Sequence, residues 1–92
     1  MMPYTLIYTK RYLKRASKFL KARPEIQAQY KKTLMLLELN PFHPSLRLHS
    51  LSGRSDGAHS VSINMSYRIV LDIVFVDDNI VLLDIGTHDQ VY

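Results

Sequence analysis

"YRIVLDIVFVDDNIVLLDI" (residues 67–85) decides the fold. Two nearly continuous apolar runs, 67–76 and 79–85, are separated by Asp77 and Asp78, with Asn79 opening the second. β-Branched and aromatic residues at this density, broken by a short acidic turn, predict a tight β-hairpin. Its strands are expected to be covered on most of one face and on part of the other. Asp72 and Asp84 interrupt the same runs, so neither run reads as a membrane span.

Working upstream, the period stays at two. "HSVSINM" (59–65) alternates Val61, Ile63 and Met65 with Ser60, Ser62 and Asn64, and "LRLHSL" (46–51) alternates Leu46 and Leu48 with Arg47 and His49. "GRSDG" (53–57) between them reads as a polar loop. Further back the period becomes helical. Tyr12, Leu13, Ala16, Phe19 and Leu20 form one apolar stripe behind Thr9, the expected N-cap. Pro24 suits the first turn of a second helix, whose stripe is Ile26, Tyr30, Leu34 and Leu37, widened by Met35 and Leu36. Pro41 disfavours helical geometry at Asn40 and ends it there. "YTLIY" (4–8) reads as a short strand before the first helix.

The order is β-α-α-β-β-β-β. It predicts an α+β fold: an N-terminal strand and an antiparallel helical hairpin packed on a largely antiparallel four- to five-stranded sheet. With 92 residues and no repeat, low-complexity tract or linker, the chain reads as a single domain, 1–92.

The net charge of +4 conceals a separation of sign. Residues 1–33 carry nine of the twelve Lys and Arg and one acid, Glu25, and stand near +8. Residues 34–92 carry three Arg and seven acids and stand near −4. Such a separation suits a polyanionic partner, with nucleic acid the first candidate; the alternative is a solvated helix face that keeps the protein in solution. Lys10, Arg11, Lys14, Arg15 and Lys18 share the polar arc of the first helix and are the expected RNA contacts.

The sequence holds no cysteine, which fits a reducing cytosol, and the start "MMPY" does not read as a signal peptide. Four histidines, His43, His49, His59 and His88, form no helical pair with a nearby acid, and no metal or other cofactor is expected. No Gly-rich phosphate loop is present.

Chemistry is expected from Arg68 and the tail "GTHDQVY" (86–92). A cation inside an apolar strand is costly unless it is paired or turned to an open face. It either pairs with Asp72, four residues on and on the same side of the strand, or clamps a phosphate in a concave sheet. The last strand would then deliver His88 and Tyr92 beside it. A guanidinium, an imidazole and a phenol are parts that phosphodiester cleavage by a ribose 2′-OH uses.

"LHSLSG" (48–53), "SYRIVLDIV" (66–74) and "GTHDQVY", in this order of elements, resemble the RelE/ParE superfamily of bacterial type II toxins, most closely its RelE and YafQ-like branch. The resemblance covers essentially the whole chain. It implies a cytoplasmic, ribosome-dependent mRNA endoribonuclease and a cognate antitoxin that joins the toxin in a hetero-oligomer. It implies catalytic roles for His88, Arg68 and Tyr92. His49 matches a histidine of YafQ-like toxins, and Arg47, Tyr67 and His59 are further candidates for catalysis or substrate binding. The chain departs from the pattern at Ser60 and Ser62, where RelE-type enzymes carry lysines and YafQ-like ones a histidine. It departs again at Ser66, where YafQ-like sites place an aspartate. Two alternatives stand beside this reading: a ParE-like inhibitor of DNA gyrase, and a catalytically inactive, antitoxin-binding homologue.

Overall fold

A computed structural model of the chain describes residues 3–51, 57–74 and 76–87. The elements are β1 (Thr5–Tyr8), α1 (Lys10–Lys21), a 3₁₀ turn (Pro24–Ile26), α2 (Gln27–Leu39), a second 3₁₀ turn (Pro44–Leu46), β2 (His49–Ser50), β3 (His59–Ser62), β4 (Tyr67–Val74) and β5 (Asn79–Thr87). The strands make one sheet in the order β1-β5-β4-β3-β2. β1 runs parallel to β5, and every other pairing is antiparallel. The α+β architecture is therefore the expected one, with the 67–85 hairpin in the middle of the sheet, where its apolar residues are best covered. Asp78 takes the left-handed conformation (φ 53°) that lets its short turn reverse the chain.

Thr9 explains where α1 begins. Its backbone is extended, its hydroxyl oxygen accepts from the Tyr12 amide at 3.1 Å, and the same hydroxyl donates to the Leu82 carbonyl at 2.8 Å. One side chain thus caps the helix and ties its start to β5. Tyr12, Ala16 and Phe19 are buried, but Leu13 is 52% exposed. Neighbouring helical residues lie about 100° apart around the axis, and the contact with the sheet is narrower than the expected stripe. In α2, Leu37 is buried and Met35 exposed, while Thr33 is buried with its hydroxyl donating to the Gln29 carbonyl at 2.9 Å. Asn40 is extended and ends the helix before Pro41.

Two expectations about the strands need correction. The 46–51 segment is not a continuous strand. Pro44 starts a 3₁₀ turn through Leu46, Arg47 enters the left-handed region (φ 51°), and only His49 and Ser50 pair with β3. Met65, expected to point inward, is 84% exposed. The strand ends at Ser62 because Asn64 builds a turn: its Oδ1 accepts from the amides of Ser66 (2.8 Å) and Tyr67 (2.9 Å), and its carbonyl accepts from the Ser62 hydroxyl at 2.7 Å.

The main core lies between the helices and one sheet face, and includes Tyr12, Phe19, Leu37, Val61, Ile69, Leu71, Ile80, Leu82 and Ile85. Each fully buried aliphatic side chain contributes about 1.5–3 kcal/mol by leaving water. On the opposite face Leu51, Ala58 and Val70 form a smaller cluster with Leu83 against it. The ladder slips between Val70 and Leu71, which pair with Asp84 and Leu82, so Leu83 is the extra residue of a bulge.

Candidate functional site

Register assigns Arg68 to a face. It pairs with Ser62 on one side and Gly86 on the other, while its neighbour Ile69 pairs with Val61 and Ile85, all three in the main core. Because side chains alternate, Arg68 stands on the face opposite α1 and α2. Its Nε donates to the Ser60 hydroxyl at 3.0 Å, and its Nη2 donates to the Arg47 carbonyl at 3.3 Å and lies 3.2 Å from His49 Nδ1. The guanidinium thus reaches across β3 to the 47–49 segment rather than along β4 toward Asp72. Burial first, and the neighbouring Arg47 second, lower its pKa from the ordinary arginine value. The group nonetheless stays cationic at neutral pH.

His49 Nδ1 sits between two partners, Arg68 Nη2 and the Arg47 carbonyl, each 3.2 Å away. With Arg68 donating, Nδ1 is the acceptor and a neutral ring carries its proton on Nε2. A proton on Nδ1 turns that nitrogen to the Arg47 carbonyl instead. The left-handed turn at Arg47 places that carbonyl in the cluster, where it meets both His49 Nδ1 and Arg68 Nη2. A non-glycine residue in this region is uncommon, and nothing in the sequence announced it. The Arg47 guanidinium itself lies 3.9 Å from Met65 Sδ. Ser60, expected among outward polar residues, is fully buried beneath Arg68. The signal that could have found it is the alternation itself, which puts Ser60 and Ser62 on one face of a strand next to Arg68.

The structure brings Arg47, His49 and Arg68 together and separates them from two other candidates. Tyr67 faces the helices: its ring meets Phe19 edge-on with centroids 5.1 Å apart, and Arg23 lies over both rings. His59 pairs with Leu71, which is on the helix face as well, and its Nδ1 is buried without a partner among the described residues. His88 and Tyr92 lie outside the described residues. The last described residue is Thr87, and Gly86 stands directly across from Arg68. Among the described residues no group of three or more His, Cys, Asp or Glu could hold a metal ion, and no helix is long and apolar enough to cross a membrane.

Lys10, Arg11, Lys14, Arg15 and Lys18 are all exposed on α1, on the side of the sheet away from Arg68. They are not equivalent. Arg15 Nε is bonded to Asp84 Oδ1, and Arg11 Nη2 lies 3.6 Å from Asp84 Oδ2. The first turn of α1 holds cations and no acid, which opposes the positive end of the helix dipole, and Asp84 offsets part of that.

No family model and no curated protein matches the chain. Solved structures do match across nearly all of it. A chain of the Escherichia coli DinJ-YafQ toxin-antitoxin complex superposes with a TM-score of 0.78 at 18% identity, covering 99% of each chain. A chain of the archaeal RelE-RelB complex from Pyrococcus horikoshii superposes at 0.73 with 18% identity, covering 97% of this chain and 99% of that one. A metal-bound toxin from Helicobacter pylori superposes at 0.70 with 16% identity and the same coverage. The chain has the RelE/YafQ-like fold. At these identities the likeness is one of backbone architecture.

Proposed function

We propose that the chain is the toxin of a type II toxin-antitoxin pair and acts in the cytoplasm as an endoribonuclease on ribosome-bound mRNA. The observation that supports this best is the clustering of Arg68, His49 and the Arg47 carbonyl on the face opposite α1 and α2, across from Gly86, which stands two residues before His88 in the sequence. In this reading the ribose 2′-OH attacks the adjacent phosphorus, and the bond from phosphorus to the 5′ oxygen breaks. The products are a 2′,3′-cyclic phosphate and a 5′-hydroxyl end. Arg68 stabilises the charge that gathers on the phosphoryl oxygens. His88 moves protons between the attacking and leaving oxygens, with His49 as the second imidazole beside the guanidinium. Tyr92 closes over the substrate, where it stacks on a base. None of these steps requires a metal.

The antitoxin is the second partner. Met35 and Leu39, four apart on α2, and Phe42 just beyond are large, exposed and apolar, and they suit the apolar face of a segment that folds on binding. The basic first third favours an acidic one.

The deciding experiment is in vitro translation with primer extension, run beside a DNA gyrase supercoiling assay. The expected outcome is ribosome-dependent cleavage that falls by about 10²–10⁴ in His88→Ala and comparably in Arg68→Ala, with folding retained. Tyr92→Phe is expected to cost less than Tyr92→Ala. Gyrase inhibition without cleavage would replace the reading with the ParE-like one. Antitoxin binding with neither activity would make the chain an inactive homologue.

A further inference from the structure

On the far side of the sheet from Arg68 the surface opens into a cavity of about 290 Å³ between α1 and β5, lined by Arg15, Lys18, Phe19, Ala22, Arg23 and Ile85. Its construction is specific. The Arg23 guanidinium lies 4.1 Å from the Phe19 ring centroid and 5.2 Å from that of Tyr67, and the two rings meet at 86°. Its Nη1 also donates to the Phe19 carbonyl at 3.3 Å. The guanidinium is therefore held in a corner of two aromatic rings. Arg15 is anchored at the wall by Asp84. Lys18 is exposed, and its side chain makes no hydrogen bond or ion pair among the described residues.

A pre-stacked guanidinium with an apolar floor and two further cations meets the needs of an unpaired nucleotide: a plane for the base and positive charge for the phosphate. An acidic peptide fits less well. An extended peptide takes main-chain bonds from a free strand edge, and two main-chain groups of β5 beside α1 are already taken by the protein's own side chains. Thr9 donates to the Leu82 carbonyl, and Asp84 accepts from the Ile85 amide at 2.8 Å.

We infer that this cavity binds one unpaired nucleotide of single-stranded RNA, its base stacked against Arg23 and its phosphate held by Lys18 and Arg15. The inference rests on the reading of the chain as a toxin that acts on RNA, and assigns it a second RNA contact on the face opposite Arg68. Tyr67 and Arg68, adjacent on β4, serve the two contacts from opposite sides of the sheet.

The test is fluorescence anisotropy of the full chain with a short labelled uridine homopolymer, without ribosomes. Wild type, Arg23→Lys, Lys18→Glu and Arg68→Ala are compared, and thermal unfolding is followed in parallel. Arg23→Lys keeps the charge but removes the plane, and is expected to weaken binding about tenfold. Lys18→Glu, at an exposed position that folding does not need, is expected to weaken it at least as much. Wild-type affinity in both variants would overturn the inference. So would displacement of the RNA by polyglutamate at equal charge, which would assign the cavity to an acidic protein. The cleavage assay is separate. RNA binding that depends on Arg23 and Lys18 in a protein that cleaves no mRNA leaves this site standing and removes the nuclease reading. Cleavage with unchanged affinity in the cavity variants does the reverse.

Discussion

Arg68 donates through Nε to the Ser60 hydroxyl at 3.0 Å, although Ser60 is in register with Val70 and Arg68 with Ser62. The contact is diagonal across the ladder, a distance that only a long side chain spans. It fixes the guanidinium at its inner nitrogen, and the outer nitrogen is left to the Arg47 carbonyl and His49. Ser60→Ala removes the buried acceptor and is expected to cost about 1–2 kcal/mol of stability. It should also lower single-turnover mRNA cleavage about tenfold at saturating ribosomes, while Ser60→Thr retains most of it. Wild-type cleavage in Ser60→Ala would show that Arg68 needs no such support.

Thr9 joins the start of α1 to β5 by one hydroxyl. Thr9→Ala loses the cap and leaves the Leu82 carbonyl short of a donor. The expected loss is about 1–2 kcal/mol by urea unfolding, and Thr9→Ser should recover most of it. A loss below a few tenths of a kcal/mol would mean that water replaces both bonds.

Tyr12 is fully buried and its hydroxyl lies 2.6 Å from that of Tyr30. Burial first, then the hydrogen bond and the charge of Tyr30, raise its pKa far above the ordinary tyrosine value of 10.0. A group whose pKa is raised on folding adds stability below its unfolded pKa and loses it as the pH climbs past that value. Unfolding free energy is therefore expected to fall steeply above about pH 10. In Tyr12→Phe the protein should lose about 1 kcal/mol at neutral pH and show a shallower alkaline decline. Equal alkaline slopes in the two proteins would assign the decline to other groups.

Asp84 holds Arg11 and Arg15 on the basic face of α1. Asp84→Asn keeps an acceptor for the Ile85 amide and releases the two arginines. The expected cost in stability is below about 1 kcal/mol. Affinity for ribosomes and single-stranded RNA should rise, with a steeper dependence on salt. Reversal of Lys14 and Lys18 to Glu should do the opposite. Salt titrations that superpose for wild type and both variants would leave the α1 face as ordinary solvated surface.

Periodicity was enough to read the elements and their order. Seven residues of alternating or continuous apolar character need a sheet, a stripe at helical spacing needs a surface to cover, and Thr9, Pro24 and Pro41 mark boundaries through local chemistry that neighbours alone supply. The central hairpin, both helices and the stop at Asn40 were legible for that reason, and so was Arg68 as a cation in an apolar strand. Other features were decided only by contacts between residues far apart in the chain. The left-handed turn at Arg47 replaced an expected strand and aimed a carbonyl at Arg68. Ser60, polar and alternating, was buried because a guanidinium from the next strand lies over it. Met65 turned outward because Asn64 closed its own loop. Tyr67 and Arg68 went to opposite faces, as the period of two requires, and the ring of Tyr67 found Phe19 and Arg23 of the helical hairpin there. Asp84 met Arg15 from 69 residues away in the sequence, and Arg11 beside it. A sequence pattern records which face a residue takes within its own element; which partner waits on that face is set by register and packing, which no local window contains.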